Sequence, residues 1–491
     1  MEAKLVNTGS SATDNLEQGR DEDMEADDQD EIFNSKTMQD SLTAIDRQYA
    51  AQPDVPRRVH ILGTGSIGKL VAHSLRGLPN PPPVTLLLHR KMLLRAWEAG
   101  KQEITMLDDG VEVKRSGFDV ELMPLTRREH GVDLKDGQSS VYDFDTEAKP
   151  HEIARQLAAE QSQQSSEQAQ QPTDALSEFE SDLPASEAAE PIHNLIVTLK
   201  APTTLSALRR LRPRLLPTST ICLLQNGMGV IDTLNTHLFP EPSERPNYMQ
   251  GIITHGVNVP PAKARIDPFY AVHAGHGTIA LGLLPRDDLT PGTPRGAAKG
   301  EPENPDIWAP SSRYLLRTVT RAPVLCAVGF TPLELLQQQL EKLAVNSVLN
   351  PLTVLLDARN GSILYNFAIT RTMRLLLAET SLILRSLPEL RNLPNINARF
   401  SAARLETLVV SVANLTSNNI SSMLADVRAG RQTEVEFING YIVRRGEDLG
   451  IKAVVNYAIM QVVMGKGMIG QRERREDVTF EKGMDPNAAD L

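Results

Sequence analysis

Gly63, Gly65 and Gly68, the three glycines of GTGSIG, constrain what this chain can fold into more than any other feature in it. They follow RRVHILG (57–63), a short apolar run of the kind that buried parallel strands show. They precede SIGKLVAHSLRGL, whose apolar residues recur at helical spacing and which stops at Gly77 and Pro79. A second apolar run, VTLLLHR (84–90), completes a strand–helix–strand unit. In such a unit the first glycine permits the tight turn and the second lets backbone approach a pyrophosphate. The third lets helix pack closely on strand. The helix N-terminus then offers unpaired N–H groups and positive dipole to phosphate. Thr64, Ser66 and Ile67 lie in the same loop and are grouped with the glycines as cofactor-binding positions.

The end of the second strand decides which dinucleotide suits the loop. An acidic residue there would bond a ribose 2′-hydroxyl, but this chain has His89, Arg90 and Lys91. A cationic cluster suits a 2′-phosphate, so NADP(H) is expected, with Arg90 as a contact; the plainer reading is that Arg90 and Lys91 open an exposed helix and touch no ligand. NLIVTLK (194–200) and STICLLQNG (219–227) repeat the strand pattern around a helical TLSALRRLRPRLL. Alternating strands and helices of this length predict an α/β doubly wound sheet of the Rossmann type.

A formal net charge of −11 looks unfavourable for binding anions, but it is unevenly spread. Residues 1–56 carry a balance of −10 and residues 149–190 one of −7, leaving +6 on the rest. The first segment is predicted to be a disordered acidic tail (1–55), because it has too few large apolar residues to offset the entropy of ordering. The second belongs to a Gln/Ser-rich low-complexity insertion at about 127–190, and a Pro/Gly-rich loop follows at about 290–306. The Rossmann domain is thus expected over 56–325. An all-helical domain follows over 326–475, and a short tail over 476–491. No apolar run approaches the roughly 20 residues of a membrane-spanning helix, and nothing points to nucleic acid. The cysteines, Cys222 and Cys326, sit in separate apolar runs, which predicts no disulfide framework. The acidic N-terminus is the opposite of a transit peptide, so the cytosol is the expected location.

In the helical region, EKLAVNSVLNPLT sets Lys342, Asn346 and Asn350 at i, i+4 and i+8, along one helix face. A lysine and two amides among apolar neighbours are costly to bury unpartnered and cheap if they line a cleft. Spacing alone favours a solvated helix face, but an ammonium and two amides facing a nicotinamide suit carbonyl reduction, with Lys342 donating a proton to the ketone oxygen and the amides orienting substrate. Asn360, in RNG, offers another amide. His273 and His276, in VHAGHGTIALG, invite a metal reading, but no neighbouring carboxylate or cysteine completes a ligand set, so no metal is expected. Gly275 of the same run is counted with the cofactor contacts.

Taken together, GTGSIG, VTLKA around Lys200, LLQNGMG around Asn226, KLAVNSVLNPLT with the later NG, and NNISSMLADVRAGRQTEVEFINGYIVRRG resemble the ketopantoate reductase family. The resemblance implies a helical second domain of the 6-phosphogluconate dehydrogenase-like type, with the active site between the two domains. It implies NADPH-dependent reduction of 2-dehydropantoate to pantoate, with a homodimer as a possible assembly. Within it Lys342 matches the proton donor, and Asn226, Asn346, Asn350, Asn360, Asn419 and Ser422 match substrate-binding positions. Lys200 and Asn226 match cofactor contacts, and Glu434 matches an acid beside cofactor and catalytic lysine. Plainer structural readings stand beside these: Lys200 as a solvated strand end, Asn226 as a turn residue, Ser422 as a helix N-cap, Glu434 as an ion-pair partner. Leu340 and Glu341 replace the family's usual aromatic, and Lys452–Ala453 its usual proline, leaving room for another branched 2-oxoacid as substrate. A non-catalytic binding protein on the same fold is the competing reading. The intact polar set weighs against it.

Overall fold

A computed structural model of the chain describes residues 55–123, 128–129, 132–133, 190–286 and 308–480, without the side chains of 128–129, 132–133, 261 and 475–480. The expected acidic tail, nearly all of the 127–190 insertion, the 290–306 loop and residues 481–491 lie outside the described residues.

Runs of Val, Ile and Leu bounded by turn residues become strands buried on both faces. β1 (Val59–Leu62), β2 (Val84–Leu88), β8 (Asn194–Val197) and β9 (Thr220–Leu223) are buried along their whole length. They belong to an eight-stranded sheet of order β14-β13-β10-β9-β8-β1-β2-β5, with β5 Phe118–Leu122, β10 Asn247–Ile253, β13 Ile279–Leu283 and β14 Ala327–Gly329. All pairs are parallel except β10 with β13. Separate apolar clusters form around Val59–Leu86–Leu281 and around Leu62–Leu195–Phe239. The expected doubly wound sheet is therefore present. Because β14 is one of its strands, the sheet runs past the expected boundary at 325, and the helical region opens at Pro332.

A second sheet was not foreseen. β3 (Glu103–Asp108) and β4 (Val111–Ser116) form a hairpin that β12 (Tyr270–Gly275) and β11 (Gly256–Asn258) extend. Its Ile104, Met106 and Ala271 share a core with Val71, Ala72 and Leu75 of α1 (Ser66–Arg76). Trp97 of α2 (Lys91–Ala99) meets Phe269 edge-on at 4.7 Å. The short strands β6 (Arg128–Glu129) and β7 (Val132–Asp133) form a separate hairpin.

On the sheet side the helices continue with α3 (Ala201–Leu211), α4 (Val230–His237), α5 (Pro261–Ile266) and α6 (Pro310–Thr320). The helical region is built around α7 (Pro332–Leu356), which a reciprocal Thr331–Glu334 capping box starts. α8 (Phe367–Ser386), α9 (Ile396–Arg399), α10 (Ala402–Leu415), α11 (Ser422–Arg428), α12 (Val435–Asp448) and α13 (Val454–Phe480) surround it. α13 continues beyond the expected end at 475. Pro351 lies inside α7 and has no N–H for the carbonyl of Ser347. Asn439 supplies the missing donor, its Nδ2 lying 2.9 Å from Ser347 O. Asn439 also donates to Asn456 Oδ1 (3.1 Å), and Asn456 donates to Glu379 (2.9 Å). A buried polar chain thus fixes the height of the Lys342 face against α8, α12 and α13. No described helix is long and apolar enough to cross a membrane.

Candidate active site

The strand order reverses direction between β1 and β8, and the crevice at their carboxyl ends holds the glycine loop. Gly63 takes φ +107°, a conformation that favours glycine, and Thr198 Oγ1, at the end of β8, donates to its carbonyl at 2.6 Å. A Cβ on Gly68 would lie 1.8 Å from that same carbonyl oxygen. Gly65 differs: nothing lies within 4 Å of where its Cβ would stand. It precedes α1 with no side-chain cap and no acid in the first turn, so no side chain of the helix start takes its first N–H groups. Thr64 and Ser66 flank this space half-buried, while Ile67 packs on the sheet core and contributes only backbone. These residues fit a dinucleotide pyrophosphate. Arg90 and Lys91 are exposed at the end of β2, without an ion-pair partner among the described residues.

Lys200 follows β8 and caps α3. Its ammonium lies 2.7 Å from Asp426 Oδ2 and 3.4 Å from Glu434 Oε2. Burial opposes its charge, but the two carboxylates outweigh burial and hold its pKa above the ordinary lysine value. Glu434 is itself 4% exposed. Besides Lys200, its carboxylate accepts from the Ala201 N–H at 3.2 Å and from Asn226 Nδ2 at 3.4 Å. One acid of the helical region therefore gathers three donors from the sheet domain. Close contact at Gly227 reinforces this: it takes φ +85°, and any Cβ would come within 2.7 Å of the Phe437 carbonyl oxygen.

Lys342 crosses from the other side. Its Nζ donates to the carbonyl of Ile253, at the end of β10, at 2.7 Å. Burial lowers its pKa to about 8, opposed in part by Glu434, which puts an ammonium that readily releases its proton near neutral pH. Lys342, Asn346, Asn226 and Gln225 line one cleft with Gly251 and Gln339. Asn350 is 6% exposed one turn further along the face. Neither Asn346 nor Asn350 has a side-chain hydrogen-bond partner among the described residues, so both amides are available to a ligand.

Other expected positions stand differently. The Asn360 side chain donates to Thr416 Oγ1 (2.9 Å), and its backbone N–H donates to the Asn419 carbonyl (2.9 Å). Its Oδ1 is buried with no partner among the described residues. Asn419 is exposed, as is Ser422, and Ser422 does not cap α11. The cap is Ser421, which accepts the Leu424 N–H at 3.1 Å and the Thr353 hydroxyl at 2.7 Å. Thus Ser421, not Ser422, faces the helix that carries Lys342. Gly275 sits opposite Gly256 in the second sheet. No carboxylate lies near His273 and His276 in sequence, and the fold supplies one. β3 pairs with β12 and brings Asp108 beside both.

Sequence reasoning missed Asp426, Gln225 and Gln339. Asp426 left only a faint signal, an acid shared between Lys200 and Arg431 (Nε to Oδ1, 3.0 Å), whose partners are separated in sequence by many residues or by a turn.

Residues 334–467 match the sequence profile described as ketopantoate reductase PanE/ApbA C terminal, and residues 143–286 that of ketopantoate reductase PanE/ApbA. A probable 2-dehydropantoate 2-reductase of Schizosaccharomyces pombe is 30% identical over 271 residues, 55% of this chain and 72% of its own length. Ketoisovalerate reductase BEA2 of Gibberella fujikuroi is 24% identical over 462 residues, 86% of this chain and 84% of that protein. Among solved structures, a PanE/ApbA family ketopantoate reductase from Ralstonia eutropha JMP134 matches with a TM-score of 0.53 at 16% identity, over 84% of this chain and 99% of that one. D-mandelate dehydrogenase with NADH and anilino(oxo)acetate matches with a TM-score of 0.55 at 13% identity, again over 84% and 99%. These structures share the fold, and the sequence matches go further: the chain belongs to the ketopantoate reductase family and is an oxidoreductase of that type.

Proposed function

We propose that the protein reduces a branched 2-oxoacid, 2-dehydropantoate first, to its 2-hydroxy acid with NADPH. One observation carries the reading. Lys342, its pKa lowered to about 8, shares a cleft with Asn226 of the glycine-loop domain and with the unpartnered amide of Asn346. NADPH, when bound, supplies the hydride that reaches C2 of the ketone. Lys342 holds the ketone oxygen by hydrogen bond and transfers its Nζ proton as negative charge develops there, then regains a proton from solvent. Asn346 and Asn350 would orient the substrate, and Asn226, held by Glu434, would offer its amide to substrate and nicotinamide alike. The open backbone at Gly65 would hold the pyrophosphate. Arg90, with no acid beside it at the strand end, favours the 2′-phosphate of NADPH over the bare ribose of NADH.

A second substrate has a specific observation behind it. Alignment with the ketoisovalerate reductase of Gibberella fujikuroi runs through 86% of this chain, against 55% for the Schizosaccharomyces pombe protein. The two oxoacids differ by one hydroxymethyl group. A site that hydrogen-bonds that hydroxyl rejects the analogue lacking it by up to about 10⁴–10⁵, whereas an apolar site discriminates by only about 10². The test is kcat/KM for both oxoacids with NADPH and with NADH. Preference for 2-dehydropantoate and NADPH supports the main reading, a reversed oxoacid preference selects ketoisovalerate, and turnover of neither overturns both.

A further inference from the structure

The second sheet carries a cluster of side chains outside the reductase cleft. Asp108 ends β3, His273 lies in β12 and His276 follows that strand. Asp108 Oδ1 is 3.4 Å from His273 Nδ1 and 3.0 Å from His276 Nε2. All three potential donor atoms lie within 4.8 Å of one another.

Hydrogen bonding decides where the protons are. His255 Nε2 is 3.0 Å from the Leu325 carbonyl, so it carries a proton and donates. Its Nδ1 is then an acceptor, and it takes the Gly277 N–H at 3.1 Å. His273 Nε2 lies 3.0 Å from that same Nδ1 and must donate to it. With its proton on Nε2, neutral His273 turns a bare Nδ1 lone pair toward the Asp108 carboxylate. The His273 side chain is 1% exposed, and neither its Nδ1 nor Asp108 Oδ1 has a hydrogen-bond partner among the described residues. Two acceptors facing each other in a buried site repel unless a positive species lies between them.

We propose that Asp108, His273 and His276 form a binding site for a divalent transition metal of the Zn²⁺ class, with its remaining position open to solvent. Tetrahedral bonds of about 2.0–2.1 Å keep ligand atoms roughly 3.3 Å apart, and the two measured separations bracket that value. The imidazole–carboxylate donor set suits zinc. The relay from His273 through His255 to the Leu325 carbonyl is the outer support that fixes a ligating histidine's tautomer. His276, 55% exposed, gives the ion a way in. The site also braces the turn whose Thr278 carbonyl accepts the Thr254 N–H at 3.0 Å, one residue after the carbonyl that anchors Lys342.

The test uses the full chain stripped with chelator, titrated with Co²⁺ by visible absorption and with Zn²⁺ by calorimetry. The expected result is one saturable site, with the Co²⁺ spectrum of low-coordinate nitrogen and oxygen ligation and displacement by Zn²⁺. His276→Ala, at an exposed position, and Asp108→Asn, nearly isosteric, should each weaken binding at least about tenfold, while His237→Ala on α4 should not. Absence of a saturable site, or one that survives either ligand substitution unchanged, overturns the proposal and leaves His273 and Asp108 bridged by a proton.

Discussion

The two walls of the cleft are built by opposite means. At the glycine loop the working surface is backbone, and what matters is where side chains are missing. A Cβ is impossible at Gly68, 1.8 Å from the Gly63 carbonyl, and sterically free at Gly65. On α7 the working surface is side chains, and what matters is how they are held. Lys342 is anchored on the Ile253 carbonyl, and the helix itself is pinned where Pro351 frees the Ser347 carbonyl for Asn439. The glycine wall thus rejects an added atom at Gly68 and leaves room for one at Gly65, while the helix wall depends on hydrogen bonds being kept.

That contrast can be broken at either wall. The largest effect is expected from Gly68→Ala, where backbone meets backbone and cannot yield: folded protein should be lost, or NADPH affinity should fall at least about 100-fold. Gly65→Ala is the sharpening partner. Its φ of −70° and ψ of −168° suit alanine, so thermal stability should hold within about 0.5 kcal/mol while NADPH affinity, read by fluorescence titration, still falls. Equal destabilisation by both would contradict the distinction. On the other wall, Asn439→Ala should cost about 1–3 kcal/mol in urea unfolding, because Ser347 O is left buried without a donor. A loss near zero would mean that the pin is idle. Glu434→Gln should cost less, about 1–2 kcal/mol, since Lys200 is partly exposed and keeps Asp426 at 2.7 Å. Arg90→Ala is the mildest, expected to raise the KM for NADPH by about five- to tenfold with little change for NADH. An equal rise for both cofactors would remove Arg90 from the 2′-phosphate.

The same contrast explains what could be read from the sequence. A loop made of backbone geometry writes its requirement locally, so GTGSIG between two strands located the nucleotide crevice, and i, i+4, i+8 spacing put Lys342, Asn346 and Asn350 on one face. Partners supplied by distant segments leave no such mark. Asp426 reaches Lys200 across 226 positions, and Asp108 reaches His273 only because β3 pairs with β12. The choice between Ser421 and Ser422 turned on one residue of helix phase, which the spacing of NNISSM does not fix. The second sheet was missed because β4, with the pattern VEVKRS, is mostly exposed and lacks an apolar run.

Lys342 joins the two walls, and the proposed reduction turns on its proton. The most direct test is single-turnover oxidation of bound NADPH by 2-dehydropantoate across pH, in wild type and Lys342→Ala. The donor must be protonated, so the wild-type rate should hold below, and fall above, a pH of about 8. Lys342→Ala should bind NADPH normally, lose about 10²–10⁴ in rate and lack that alkaline limb. A variant with near-normal rate, or one that keeps the same alkaline fall, would contradict the assignment of Lys342 as the proton donor.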